Sequence, residues 1–230
     1  VNRNVMSPSN PFESGLHAEA LSLAQKIHDH LTPSTSAYAE IWLDEEKIAV
    51  GEEVVEPIYG KTYLPRKFKI AVALPPRNDV DVFSNCLGFV GIPEEGRVTG
   101  YNVLVGGGLG MTHGKTTPFP RLADVIGFCS PEQAVQVAEE VVKIQRDHGD
   151  RSDRRHARLK YTIEDRGVDW FKRELNDRLG WSLEEPREFS FDSTTDRYGW
   201  SEDQDGKWAF GLFVQGGRLR DHEGENAKKA

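Results

Sequence analysis

A short basic segment directly before an apolar strand constrains this chain most. Arg66, Lys67 and Lys69 stand within four residues, and residues 70–74 that follow are all apolar, as is typical of a buried strand. In an extended chain Lys67 and Lys69 point to the same side and Phe68 points to the other. Two ammonium groups on one side of a strand end can bind a small anion, and Arg66 can form paired hydrogen bonds to a carboxylate. The alternative is a solvated edge whose lysines protect an aggregation-prone strand.

Charge is unevenly distributed along the chain. The formal net charge of −8 over 230 residues disfavours a general nucleic-acid-binding role. The segment 146–160 is nevertheless rich in cations: Arg146, Arg151, Arg154, Arg155, Arg158 and Lys160. A local basic cluster in an acidic protein predicts a small anionic ligand. The alternative is a salt-bridged loop, because three aspartates lie in the same segment.

Several classes of function are disfavoured by what the sequence contains. No run of eighteen apolar residues is present, so no membrane span is predicted. Cys86 and Cys129 are the only cysteines, and their apolar surroundings predict reduced, buried thiols in a cytoplasmic protein. The glycines of residues 106–110 lack the spacing of a phosphate loop and indicate a close approach of the backbone to a flat ligand, or a bulge.

The periodicity of apolar residues predicts an α+β fold. A helix is expected from Asn10 as N-cap to the residues before Pro33, a second after a capping box at Ser130, and a third over residues 168–179 with Gly180 as C-cap. Strands are expected near residues 38–43, 69–75, 86–92 and 100–106, the last two joined in a hairpin around Glu94-Glu95-Gly96-Arg97. Together they predict a mixed or antiparallel sheet packed against three helices.

The character of the sequence changes near residue 195. Residues 1–195 are expected to form one domain, and residues 196–230 are expected to begin a ferredoxin-like half-domain with two strands around 203–206. The charged segment 220–230 lacks apolar periodicity and is predicted to be disordered.

The basic segment is also one of several blocks that resemble the siroheme-dependent sulfite and nitrite reductase family, most closely its sulfite reductase hemoproteins. The blocks follow the family's order over nearly residues 1–220. They are residues 63–69, Asn2-Arg3-Asn4-Val5, Ser9-Asn10-Pro11-Phe12-Glu13-Ser14, residues 38–44, residues 102–109, Gln145-Arg146-Asp147, Asp153-Arg154-Arg155 and Lys160-Tyr161-Thr162.

The resemblance implies an oxidoreductase that reduces sulfite to sulfide with six electrons at siroheme, in sulfur assimilation. The resemblance implies that Arg3 clamps the sulfite oxygens and that Lys67 and Lys69 assist substrate binding and proton supply. It also implies that Arg66, Arg158 and Lys69 bind the siroheme. Lys69 favours sulfite, because nitrite-reducing relatives commonly carry Asn there. Arg158 stands where the family often has Lys, which preserves the charge but changes the geometry.

The same resemblance implies that the chain is a central fragment. The family holds a 4Fe-4S cluster on four cysteines that have no counterpart here, so the chain alone is expected to be inactive. Its implied partners are sulfite, the remaining segments of the enzyme, and ferredoxin or a flavoprotein reductase as electron donor, with no membrane and no nucleic acid. The alternatives are a nitrite reductase of the family and a non-catalytic tetrapyrrole- or anion-binding module.

Overall fold

The computed structural model describes residues 1–34, 41–43, 46–49, 55–217 and 219–221. In chain order its elements are β1 (Asn2–Met6), α1 (Gly15–His30), β2 (Ile41–Leu43), β3 (Glu46–Ala49), β4 (Phe68–Ala73), β5 (Leu87–Glu94), β6 (Arg97–Val105), β7 (Asp124–Cys129), α2 (Ala134–His148), α3 (Leu159–Arg166), α4 (Val168–Leu179), β8 (Gly199–Glu202) and β9 (Trp208–Gly211).

The main sheet is mixed, as the sequence predicts. Its strands lie in the order β1-β4-β5-β6-β7. The pairs β1–β4 and β4–β5 are parallel, whereas β5–β6 and β6–β7 are antiparallel. Because β1 and β4 are parallel, the residues at their starts meet at one edge of the sheet. The predicted α+β class is therefore confirmed.

The two faces of the sheet bury different sets of side chains. One face packs against the helices, with Ile70 and Val72 of β4 in a large cluster that includes the buried apolar residues of α2. The other face holds Ala71 and Ala73, covered by residues that include Phe189. This alternation along β4 is the period of two that an extended strand imposes, and it puts Lys69 on the same face as Ala71.

The first helix begins four residues later than the sequence predicts. Ser14 is the N-cap, and its side chain accepts a hydrogen bond from the His17 amide. The Asn10 side chain instead accepts from the Phe12 amide, so Asn10 forms a local turn that competes with a helix start. The apolar face of α1 is as expected, with Ala20, Leu23 and Ile27 buried.

The strand prediction over residues 38–43 is wrong in its place in the fold. Residues 38–40 lie outside the described ranges, and β2 pairs with β3 in a separate two-stranded sheet instead of joining the main one. The main sheet is completed by β1 and β7, which the pattern did not predict. The α2–α4 region also contains one more helix than expected, α3.

The hairpin turn and the end of α4 follow the predictions, whereas α2 begins three residues later than expected. Glu95 and Gly96 connect β5 to β6 with positive φ angles of 49° and 79°, as a two-residue hairpin turn requires. Helix α2 begins at Ala134 rather than at Pro131, yet the Gln133 side chain accepts from the Ser130 amide at 2.9 Å, which is one half of the predicted capping box. Gly180 ends α4 in the left-handed conformation with φ 73°.

The C-terminal part forms the expected hairpin, in which β8 and β9 pair antiparallel. A division into domains near residue 195 and a ferredoxin-like character of residues 196–230 stay predictions. The predicted disorder falls largely on residues 222–230, outside the described ranges. Among the described residues, no helix is long and apolar enough to cross a membrane.

Candidate anion-binding site

The predicted substrate-binding residues lie at one edge of the main sheet. Arg3 is in β1, Lys69 is in β4, and Lys67 directly precedes β4. Asn2 pairs with Phe68 and Asn4 with Lys69, so the register shift between these pairs leaves Arg3 as the extra residue of a bulge. The fold therefore brings Arg3 to the two lysines, which lie about 65 residues further along the sequence.

Next to this edge is a cleft with a strongly basic lining. Its volume is about 670 Å³, and Asp153 is the one carboxylate in its lining among the described residues. Seven cations line it: Arg66, Lys67, Lys115, Arg154, Arg155, Arg158 and Lys160. A smaller cleft of about 450 Å³ shares Arg66, Lys67 and Arg154 with the first and adds Arg3.

The electrostatics of Lys67 link the five residues predicted from the sequence. Desolvation lowers the pKa of the Lys67 ammonium, and the nearby charges of Arg158, Lys69, Arg3 and Arg66 lower it further. Like charges have this effect only at short range. The predicted substrate and cofactor residues thus form one basic cluster, although Lys69 is not in the described lining of either cleft.

Arg158 has an unused hydrogen-bond donor inside the protein. It is the N-cap residue of α3, and its Nη2 donates to the Cys86 Sγ at 3.3 Å and to the Gly107 carbonyl at 3.4 Å. Its Nε is buried with no partner among the described residues. A buried donor without an acceptor is costly, so this guanidinium fits a site that an acidic ligand completes.

Lys160 is a functional candidate to which sequence reasoning gave no role. It is almost fully buried, with 1% of its surface exposed. Its Nζ donates to the carbonyl oxygens of Gly108 and Gly110, each at 3.1 Å, and to that of Phe119. Lys160 therefore ties the glycine-rich segment to residues 115–120 at the cleft. The sequence signals were its place in the basic segment 146–160 and its position within a family block.

The glycine-rich segment packs against Arg158, as a close approach of backbone predicts. A Cβ added at Gly108 would lie 2.6 Å from Arg158 Nη1, at the end of a flexible side chain. A Cβ added at Gly107 would lie 2.1 Å from the Phe83 carbonyl oxygen and 2.6 Å from that of Asn85, both in the backbone. The two glycines are therefore required for different reasons.

This difference predicts unequal losses of stability for two alanine substitutions. We expect Gly107→Ala to lower the free energy of unfolding by about 2 kcal/mol, because backbone must move. Gly108→Ala should cost less than about 1 kcal/mol, because the Arg158 side chain can swing away, but should weaken anion binding. Urea unfolding of both variants measures this, and equal losses of stability would contradict it.

Neither cysteine is placed to bind a metal. Cys86 and Cys129 are free and buried, and burial, with a further contribution from Glu184, raises the pKa of Cys129 to about 12. The described residues contain no group of three or more His, Cys, Asp or Glu that could hold a metal ion. A 4Fe-4S cluster is held by four cysteine thiolates, so the two cysteines of this chain do not supply its ligand set.

His156, which directly follows the cleft residue Arg155 in sequence, has a structural environment. His156 Nδ1 lies 3.2 Å from Asp150 Oδ2, its Nε2 lies 3.4 Å from Asp165 Oδ2, and its ring stacks on Tyr161 at 4.5 Å. Both ring nitrogens face carboxylates within the protein, so we give His156 no role in binding an anion.

The fold and the cleft define an α+β protein with a preformed basic site at one sheet edge. A family profile described as "Nitrite and sulphite reductase 4Fe-4S domain" matches residues 22–183, which is more than half of the chain. The chain therefore belongs to the nitrite and sulphite reductase family, and the resemblance found in its sequence is confirmed.

Individual relatives agree with this assignment. The chain is 59% identical over 222 residues to the sulfite reductase [NADPH] hemoprotein beta-component of Anoxybacillus flavithermus, covering 96% of the chain and 39% of the relative. It is 56% identical over 224 residues to the protein of that name from Bacillus subtilis, covering 97% and 39%. It thus spans about two fifths of the relatives' length.

A solved structure shares the fold. The structure of the Mycobacterium tuberculosis NirA protein superposes with a TM-score of 0.64 at 25% sequence identity, over 90% of this chain and 33% of that one.

Proposed function

We propose that this chain is the central, siroheme- and anion-binding part of an assimilatory sulfite reductase hemoprotein, whose activity is the six-electron reduction of sulfite to sulfide. The observation that carries the proposal is the cleft lining of seven cations against one carboxylate, in a chain of net charge −8. Cations are concentrated in this way where a buried polyanion must be neutralised.

The residues of the cleft fit the implied cofactor. Siroheme carries eight carboxylates and would supply a metal-bearing macrocycle for electron transfer. Arg66 and Arg158 would hold its carboxylates, with Lys69 nearby. The buried, unpartnered Nε of Arg158 supports this, because a carboxylate would satisfy it. Arg154 and Arg155 line the same cleft and add to its positive potential.

Arg3, Lys67 and Lys69 would bind the sulfite oxyanion at the sheet edge. Fixed cations stabilise an oxyanion without reorganisation during the reaction. The lowered pKa of Lys67 makes its ammonium a better proton donor than an ordinary lysine. Lys69 supports sulfite over nitrite, and the relative turnover of the two anions by the parent enzyme tests that preference.

The 4Fe-4S cluster and its cysteines would come from the parent's other segments, so the chain alone is proposed to be inactive. The hemoprotein relatives are named as NADPH enzymes, which supports a flavoprotein reductase as the electron donor over ferredoxin. A cytoplasmic location agrees with the two reduced thiols. Sulfite-dependent oxidation of a reduced dye by this chain alone would contradict the proposed inactivity.

The lowered pKa of the Lys67 ammonium predicts how siroheme affinity depends on pH. Bound carboxylates raise the pKa of Lys67, whereas in the free chain desolvation and four cations lower it. Affinity is therefore full below the free chain's Lys67 pKa and falls as the pH rises through it. Titrations from neutral pH upward measure this, and Lys67→Met should remove the earliest part of the fall. A flat profile up to the ordinary pKa of lysine would contradict the role of Lys67.

The proposal is tested by titrating the purified chain with siroheme and following its absorption spectrum. Haem, with two carboxylates on a macrocycle of similar size, is the matched comparison. We expect saturable binding of siroheme and binding of haem at least ~10-fold weaker, because each charge-assisted hydrogen bond contributes about 1.5–3 kcal/mol. Equal affinities would contradict the proposal, since shape alone would then explain binding.

A further inference from the structure

The two basic walls of the cleft come from distant parts of the sequence. One wall is Arg66 and Lys67, and the other comes from residues 153–161. No disulfide or metal ties these segments together in the described part of the chain. Besides the hydrophobic core that β4, α2 and α3 share, their relative position depends on local contacts between residues 58–66 and the loop that follows α2.

Arg151 makes the most extensive of these contacts. Its Nη1 donates to the Thr62 carbonyl at 3.2 Å, and its Nη2 donates to the carbonyls of Tyr63 at 2.6 Å and Arg146 at 3.0 Å. One guanidinium thus joins two consecutive carbonyls of one segment to the last turn of α2. The planar fork of an arginine spreads its donors over several nitrogens and can span such acceptors, whereas the donors of a lysine all share one nitrogen.

The segment that Arg151 holds has an unusual backbone conformation. Tyr63 has a φ of 53°, which non-glycine residues adopt only when their surroundings enforce it. Its ring stacks on that of Tyr59 at 5.6 Å. Tyr59 is fully buried, and its hydroxyl donates to the Leu31 carbonyl at 2.6 Å. The left-handed residue turns the chain four residues before Lys67, so its conformation sets where Lys67 emerges.

Two further contacts hold residues 58–66 against the end of α2. Arg146 Nη1 donates to the Ile58 carbonyl at 2.5 Å. A Cβ added at Gly149 would lie 2.7 Å from Pro65 Cγ, so the end of α2 packs directly on the residue before Arg66. Arg151 itself has no carboxylate partner among the described residues and is not in the described lining of either cleft.

We propose that Arg151 is a positioning residue that sets the distance between the two basic walls of the cleft. The Arg151 guanidinium donates its hydrogen bonds to backbone carbonyls. It affects ligand binding by fixing the positions of Arg66 and Lys67. The identity of the ligand in this inference rests on the proposed function. The ordering of residues 62–67 by Arg151 is independent of that function.

The test compares Arg151→Lys, which keeps the charge but loses the fork, with Arg155→Ala, which removes a charge that lines the cleft. Hydrogen exchange of peptides spanning residues 62–67 is measured in the ligand-free chain, and siroheme affinity is measured at low and high salt. For Arg151→Lys we expect exchange to rise and affinity to fall, each about tenfold, with the salt dependence unchanged. For Arg155→Ala we expect unchanged exchange and a weaker salt dependence.

Wild-type exchange and wild-type affinity in Arg151→Lys would overturn the inference, because charge alone would then explain the residue. Faster exchange with unchanged affinity would also overturn it, since ligand binding would then not depend on the hydrogen bonds of Arg151. If the wild-type chain does not bind siroheme, the proposed function fails. The exchange comparison then still decides whether Arg151 orders the segment.

Discussion

Replacing Arg158 by alanine is expected to weaken siroheme binding about 100-fold. The substitution removes a guanidinium whose Nε is buried without a partner, and charge-assisted hydrogen bonds contribute about 1.5–3 kcal/mol each. It also removes the group that packs on Gly108 and contacts the Cys86 Sγ. Absorption titration with siroheme measures the effect.

Two control variants separate charge, geometry and folding. Arg158→Lys keeps the charge and should retain part of the affinity, since the family often has Lys at this position. Arg173→Ala removes an exposed arginine from α4, outside the described lining of either cleft, and should bind like the wild type. Affinity of Arg158→Ala within twofold of the wild type would show that Arg158 does not hold the ligand.

Replacing Lys160 by methionine is expected to lower the free energy of unfolding by about 3 kcal/mol. The carbonyls of Gly108, Gly110 and Phe119 would all lose their shared donor, and an unsatisfied buried acceptor costs about 1–3 kcal/mol. Removing the charge recovers part of this, because desolvation and the nearby Arg158 already lower the pKa of Lys160. Urea unfolding followed by circular dichroism measures the loss.

Lys115→Met is the matched control for this prediction. Lys115 lines the same cleft but is exposed, so its replacement should change stability by less than about 0.5 kcal/mol. If both lysines gave the same small effect, Lys160 would be an ordinary member of the basic lining. A large effect of Lys160→Met alone supports its role in holding the two segments together.

The predictable parts of this fold are those where local pattern and tertiary packing agree. The apolar run after Lys69 lies in β4, an interior strand of the main sheet, and the stripe that includes Val137 and Val141 lies buried on α2. The turn at Glu95 and Gly96 needs only local chemistry. These features are set by side-chain periodicity or by turn residues, both of which can be read from sequence.

The secondary-structure predictions are wrong where contacts with residues distant in sequence determine the structure. β1 contains two asparagines and an arginine, yet it becomes a strand because β4 offers a parallel edge. Asn10 and Ser14 are both good caps, and the sequence does not tell which one the helix uses. Residues 41–43 have strand character but pair within a local hairpin, so they do not extend the main sheet.

The site was predictable as far as charge type and family alignment allow. Arg3, Arg66, Lys67, Lys69 and Arg158 were singled out from the sequence, and the fold gathers them around Lys67. Their individual roles stay predictions. Lys160 and Arg151 were visible only as members of a basic block, because their hydrogen bonds go to backbone carbonyls that residue identities do not reveal.

The most direct test of the central claim is a hydrogen-exchange footprint of siroheme on this chain. We predict protection of residues 62–67 and 153–161, the two segments that carry six of the seven cations lining the basic cleft. The cavity of about 750 Å³ lined by Pro8 and Pro76, at the opposite ends of β1 and β4, is an internal control and should be unchanged. Protection confined to that cavity, or none at either place, would contradict the assignment of the basic cleft as the siroheme site.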